Sequence, residues 1–235
     1  MSFKQSNQTI YNTIVNAALP AVRSPANVYV SCKFPENLDQ YSLLPEEQKY
    51  LHKYGDKRTV DFCLGRACAR EILIKIGFER FPVLIGDDRQ PLWPDKLVGS
   101  ISHTDQFALC VIAEKRELSS IGVDIERINN ESFDLYSMVA SVEEMQNIGG
   151  DTHTVHQQCT YLAKLLFSAK EAVYKCQFPL YRRWLDFKDV TLNLDFTNKT
   201  FDTVVIDKDR PISIQGAWDT NDNYIIATAW VLSRQ

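Results

Sequence analysis

The sequence predicts an α+β fold: two similar α/β lobes in a pseudo-two-fold arrangement, with an active-site cleft between them. Three observations carry this. The order strand, long helix, several strands occurs twice, once on each side of about residue 117, although no sequence repeat is visible. Each half holds one long helical pattern, while its other apolar segments are short runs bounded by turn residues, as strands are. The chain has 235 residues, 45% hydrophobic and 24% charged, which is globular composition and suits one large domain or two lobes. The division is placed at 1–116 and 117–235, and a site fed by both lobes belongs between them.

The elements follow in order. "ANVYVSCKF" (26–34) puts Val28, Val30, Cys32 and Phe34 on one side of a strand, and "LPEEQ" starts a short helix. A longer helix is expected over about 59–76, ended by Gly77. Turns at "GDDRQP" and "WPDK" lead into paired strands "VGSISH" and "FALCVIA", and "SSIGVDIERI" is a further strand. Residues 129–154 are polar and read as loops with a short helix. "VHQQCTYLAKLLFSAKEAVYKCQ" (155–177) is the longest helical pattern. Four strands finish the chain: "FKDVTLNLDF", "TFDTVVID", "PISIQGAW" and "NYIIATAWVL".

Composition narrows the function. A net charge of −4 disfavours nucleic-acid binding, which needs a concentrated basic surface. Residues 1–115 carry 14 Lys and Arg against 13 Asp and Glu, whereas 116–235 carry 12 against 17. One half is therefore suited to an anion and the other to a cation. No basic segment followed by an apolar run opens the chain, and the most apolar stretch, "YIIATAWVL", is too short to span a bilayer. A soluble, cytoplasmic protein is expected. The cysteines at 32, 63, 68, 110, 159 and 176 lack C-x-x-C spacing, and most sit in apolar patterns as reduced, buried thiols.

The sharpest feature is "IGVDIERI" (121–128). Ile121, Val123 and Ile125 fall on one side of the strand, and Gly122, Asp124 and Glu126 on the other. The two carboxylates then stand roughly 6.6 Å apart, at ~3.3 Å per residue. They are either a solvated acidic face or part of a metal site that needs a third ligand. In the long helix, Leu162, Leu165, Leu166, Ala169, Val173 and Cys176 make the core stripe, with Glu171 and Lys175 one turn apart on the opposite side. That pair is either a surface Glu–Lys contact or the missing half of the site. Phe167 and Tyr174 border it and suggest a cleft wall. Three carboxylates without His or Cys suit Mg²⁺, which shares its sphere with substrate phosphates. Candidate phosphate partners are Arg58, Arg66, His103, Lys170 and Lys175. Gly65, with Cys68 and Ala69 one turn on, makes a smooth helix patch that another element can approach, and Arg66 and Arg70 project from that support.

These pieces together resemble the phosphopantetheinyl transferases, in the larger monomeric branch of enterobactin-synthetase type. "GVDIE" (122–126) and "FSAKEAVYK" (167–175) match the G-[IV]-D-x-E strand and the [FW]-[SC]-x-K-E-[AS]-x-x-K helix of that family. "KRTVDFCLGRACARE", "RQPLWP" and "VGSISHT" resemble its upstream blocks, so the likeness runs from about residue 57 to 176. The resemblance implies transfer of the 4′-phosphopantetheine arm of coenzyme A to a serine of an apo carrier protein, releasing 3′,5′-ADP. It implies Asp124, Glu126 and Glu171 as ligands for Mg²⁺, with Mn²⁺ as a substitute. On the same resemblance Glu171, directly or through a metal-bound water, is the best candidate base, and Lys175 and Lys170 are expected to contact the diphosphate. It likewise implies that His103 and Arg58 reach coenzyme A phosphates, that Arg66 lies near the 3′-phosphate, and that Arg89 in "DDRQP" helps hold coenzyme A.

The carrier, of acyl, peptidyl or aryl type, is expected to be acidic around its serine. "LYRRW" (180–184) is the candidate patch for it, against the alternative of an ordinary loop with a buried Trp184. Nonribosomal-peptide and siderophore-type carriers are favoured, and a chain carrying both halves of the cleft suggests a monomer. His52, His153 and His156 are assigned no partner. Two rival classes share these residues: a metal-dependent phosphohydrolase acting on a nucleotide or coenzyme A, and a non-catalytic coenzyme A-binding protein.

Overall fold

The computed structural model describes residues 27–40, 42–128, 138–141, 143–144, 152–207, 210–221 and 223–233. In the first half these form β1 (Val28–Lys33), α1 (Pro45–Gln48), α2 (Asp56–Lys75), β2 (Leu97–His103) and β3 (Ala108–Glu114). In the second half come β4 (Leu118–Arg127), α3 (Thr152–Tyr181), β5 (Asn193–Asp195), β6 (Thr200–Asp207), β7 (Arg210–Thr220) and β8 (Tyr224–Leu232). The first three strands make an antiparallel sheet in the order β1-β3-β2, and the rest make a second in the order β4-β8-β7-β6-β5. The fold is α+β, and strand–helix–strands occurs in each half as the sequence suggested. Residues 1–25 and most of the polar stretch 129–154 lie outside the described residues.

Apolar layers bind these elements. Leu64, Cys68, Ala69, Ile72 and Leu73 of α2 pack on Ala108, Cys110 and Ile112. The other face of β3, with Leu109, Val111 and Ala113, meets Ile121, Val123 and Ile125 of β4 and Ile226 and Trp230 of β8. This is why "FALCVIA" is a continuous apolar run: β3 is buried on both faces. Beyond the second sheet, Leu165, Leu166, Ala169, Ala172, Val173 and Cys176 of α3 cover Ala227, Ala229, Ile214 and Trp218. The order is helix, sheet, sheet, helix.

β2 and β4 edge the two sheets and lie side by side without a shared ladder. Serine hydroxyls serve where ladder bonds are missing: Ser100 Oγ accepts from Val123 N at 3.1 Å, and Ser102 Oγ donates to Asp124 Oδ1 at 3.0 Å. Buried backbone and side-chain polar groups need such partners.

Two helix details differ from expectation. α2 begins three residues earlier than 59, and α3 runs on to Tyr181 through Pro179. A proline this near the end forfeits little of the hydrogen-bond ladder. The helix then closes with Arg182 N donating to Phe178 O at 2.8 Å, Arg182 itself taking a left-handed φ of 54°. Cys32, Cys68, Cys110 and Cys176 are buried and free, and burial raises their pKa values, so they are inert packing thiols.

Candidate active site

The first acid of "GVDIE" does not face water. Asp124 is 4% exposed, because the face of β4 opposite its apolar set is covered by α3. Gly122 permits this. A Cβ there would stand 2.1 Å from the Ala172 carbonyl oxygen and 2.6 Å from Cys176 N, both helix backbone. Ser120 Oγ adds a hydrogen bond to Cys176 O at 2.6 Å. Gly65 serves the first helix alike, where a Cβ would lie 2.9 Å from the Ile101 side chain.

With α3 held this close, Lys175 Nζ lies 2.5 Å from Asp124 Oδ1 and donates to Ser102 Oγ at 3.3 Å. Lys175 is thus a cross-element partner of the β4 acid at the seam of the two sheets, and the surface-pair reading is set aside. Glu126 is half-buried, with Lys164 Nζ at 4.0 Å. Its carboxyl is pushed up to about 7 by burial and by Asp124, against the pull of Lys164 and Lys175. Burial likewise raises the Glu171 carboxyl, opposed by Lys175 and assisted by Asp124.

Asp124 Oδ2 is buried and has no hydrogen-bond partner. An orphaned carboxylate oxygen beside two destabilised carboxyls is what a hard cation would relieve, so the donor set fits Mg²⁺. Among the described residues no three acids, histidines or cysteines already converge as a coordination cluster. Lys175 holds one oxygen of Asp124 instead.

Next to this, Arg58 Nη1 lies 2.9 Å from His103 Nε2. The guanidinium can only donate, so Nε2 is the unprotonated nitrogen and Nδ1–H faces Asp61 Oδ2 at 3.6 Å. Burial, Arg58 and Lys175 hold the imidazole below its ordinary pKa, opposed by Asp61 and Asp124. His103, Arg58, Lys175 and Asp124 are therefore one electrostatic neighbourhood.

Other expected residues lie elsewhere. Arg66 is not displayed to a phosphate: it is 7% exposed, lies over the Phe62 ring at 4.2 Å, and its Nε donates to Val83 O at 2.7 Å. Burial lowers it to about 10 despite Glu47. Arg70 is drawn inward to Glu47 and the Ser42 carbonyl. Lys170 differs most from expectation. Its ammonium is sealed against Glu144, Val139 O and Phe187 O at 2.7, 2.8 and 2.8 Å, away from Asp124. Arg89 is exposed, with φ 67°, beside Asp88, which pairs with Arg182 across the lobes at 2.7 Å.

A concavity of about 250 Å³ opens beside Glu171, lined by Tyr174, Trp184, Leu185, Phe187 and Val190. Tyr174 does border the site, stacking near Trp184 at 5.6 Å, while Phe167 packs on Phe187 at 5.1 Å. Trp184 is 75% exposed, which removes the buried-tryptophan reading of "LYRRW". His52 is exposed, and the side chains of His153 and His156 lie outside the described residues.

Sequence reasoning missed Ser102, Asp61 and Glu144. Ser102 had a readable signal, since "SIS" puts two hydroxyls on one strand face. Asp61 and Glu144 had none.

Comparison with known proteins gives the family of the chain. Residues 46–113 match the family model described as 4′-phosphopantetheinyl transferase N-terminal domain, and 120–229 match the 4′-phosphopantetheinyl transferase superfamily. The 4′-phosphopantetheinyl transferase PptT of Mycobacterium tuberculosis is 31% identical over 202 residues, covering 80% of this chain and 86% of that protein. The chain belongs to the 4′-phosphopantetheinyl transferase superfamily. Enterobactin synthase component D of Salmonella typhi is 39% identical over 134 residues, 56% of this transferase and 53% of the relative. A solved holo-ACP synthase from Plasmodium yoelii covers 50% of the transferase and 97% of its own chain, at 18% identity and a TM-score of 0.40. The family match extends past residue 176 through the C-terminal strands, further than the motifs alone reached.

Proposed function

We propose that this transferase moves the 4′-phosphopantetheine arm of coenzyme A onto a serine of an apo carrier protein, with Mg²⁺ held by Asp124, Glu126 and Glu171. The observation that carries this reading is the meeting of Asp124, Lys175 and Ser102 at the seam, beside the Arg58–His103 pair. Four elements deliver acids and cations to one place there, as a diphosphate substrate requires. When bound, the cation would neutralise charge on the diphosphate oxygens.

The remaining work falls to the chain. The carrier serine Oγ attacks the β-phosphorus, the bond from that phosphorus to the bridging oxygen breaks, and 3′,5′-ADP leaves. Glu171, at the mouth of the concavity, takes the serine proton. Lys175 stabilises the departing oxygen, and Arg58 and His103 hold phosphates. The methylene and gem-dimethyl groups of the pantetheine arm suit the aromatic-walled concavity that begins at Glu171.

Peptidyl and aryl carriers of nonribosomal-peptide and siderophore type are the proposed acceptors, in keeping with the enterobactin synthase relatives. Arg183, Trp184 and Leu180, all exposed, offer them a basic and apolar surface. A cytoplasmic monomer is proposed, since one chain supplies both sides of the seam and coenzyme A is met in the cytoplasm.

Intact-mass spectrometry of an apo peptidyl carrier protein with coenzyme A and Mg²⁺ tests this. A gain of one phosphopantetheine, lost with Glu171→Gln or EDTA, is the expected result. Release of 3′,5′-ADP without a mass gain would mark a hydrolase, and coenzyme A binding with neither product would mark a binding protein.

A further inference from the structure

The helix motif contains two lysines, and only one reaches the β4 acids. Lys170 is 2% exposed, yet its ammonium is fully engaged: Glu144 Oε2 at 2.7 Å, Val139 O at 2.8 Å and Phe187 O at 2.8 Å. Glu144, also buried, accepts from Ser141 N through Oε2 at 2.6 Å and from Leu192 N through Oε1 at 2.9 Å. One buried ion pair therefore ties α3 to two separate stretches of chain, 139–144 and 187–192. In those stretches Val139 O, Ser141 N, Phe187 O and Leu192 N find their partners in this pair. Phe187 and Val190 form part of the concavity wall, and the residue after Lys170 is Glu171, at the mouth of the same concavity.

Building on the transfer reaction above, we propose that Lys170 is a positioning residue rather than a phosphate ligand. Through Glu144 and the Phe187 carbonyl it fixes the aromatic wall against the helix turn that bears Glu171. A buried pair of this kind need not add net stability, since each charge pays for leaving water. What it supplies is one defined geometry for a wall made of irregular chain.

The experiment compares Lys170→Met, Glu144→Gln and the double variant, in which both charges are gone and the glutamine oxygen can still accept from one of the two backbone amides. Each is measured for kcat, for KM and direct binding of coenzyme A, and for Trp184 emission, assigned by difference from Trp184→Phe. The expected result is the same pattern in all three: kcat lower by about 10-fold or more, coenzyme A binding unchanged within about twofold, and a shifted Trp184 emission. Weakened coenzyme A binding in Lys170→Met but not in Glu144→Gln would overturn the proposal by making the lysine a direct ligand. Wild-type kcat and emission in the double variant would overturn it by making the pair a stability element alone. If wild type transfers nothing to any carrier, the assigned reaction fails, and emission with coenzyme A binding still decides between wall and ligand.

Discussion

Replacing Gly122 by alanine tests the central geometric claim. The added methyl would stand 2.1 Å from Ala172 O, and ordinary contact begins near 3.4 Å, so strand and helix must separate by 3.4 − 2.1 = 1.3 Å along that line. Both neighbours are helix backbone, which cannot swing aside as a side chain would. Overpacking of this kind costs about 2 kcal/mol, against less than about 1 kcal/mol regained from a stiffer unfolded chain. For a chain of this size the net loss of about 1–2 kcal/mol lowers the melting temperature by roughly 2–8 °C. The same displacement pulls Lys175 away from Asp124 and Ser102, and a misplacement of about 1 Å costs on the order of 100-fold in rate. Carrier modification by Gly122→Ala, followed by intact mass below its melting temperature, should show that loss. Wild-type turnover with an unchanged melting temperature would refute the reasoning, because the helix would then have room to spare.

Ser102→Ala should leave Asp124 short of a donor and Lys175 short of an acceptor, costing about 1–3 kcal/mol in denaturant unfolding. Glu126 gives a pH test. Its folded pKa of about 7 lies above the unfolded value, so the native state holds an extra proton between about 4.5 and 7. That contribution is full at low pH and is lost as pH rises through 7, while a divalent cation favours the ionised form. Mg²⁺ should therefore raise the melting temperature more at pH 8 than at pH 6, and Glu126→Gln should flatten the difference. Glu47→Ala, far from the chemistry, removes the acid that receives Arg70, Leu44 N and Val83 N, and should destabilise by about 3–5 kcal/mol with coenzyme A affinity unchanged at low temperature.

Much of this was written in local pattern. Period-two runs gave the strands, the helix stripe gave the buried face of α3, and "GVDIE" with "KEAVYK" located the acids and Lys175 because each lies on a regular element whose facing follows from its own period. The role of Gly122 was half legible: a glycine beside the acids stood out, but the helix it admits lies about 50 residues downstream.

Lys170 shows where local pattern stops. Five residues separate it from Lys175, about 140° around the helix, and nothing in that period says which neighbour each will meet. The tertiary structure sends one lysine to a strand acid at the seam and the other to Glu144, an acid in a polar stretch without periodicity. Arg66 follows the same logic, turned inward by Phe62 and the Val83 carbonyl. The sequence determined the chemistry carried by each element and the face it points from. Packing decided which charges meet, because the distance and register between elements depend on side-chain volume at contacts such as Gly122, remote in the chain from the groups they bring together.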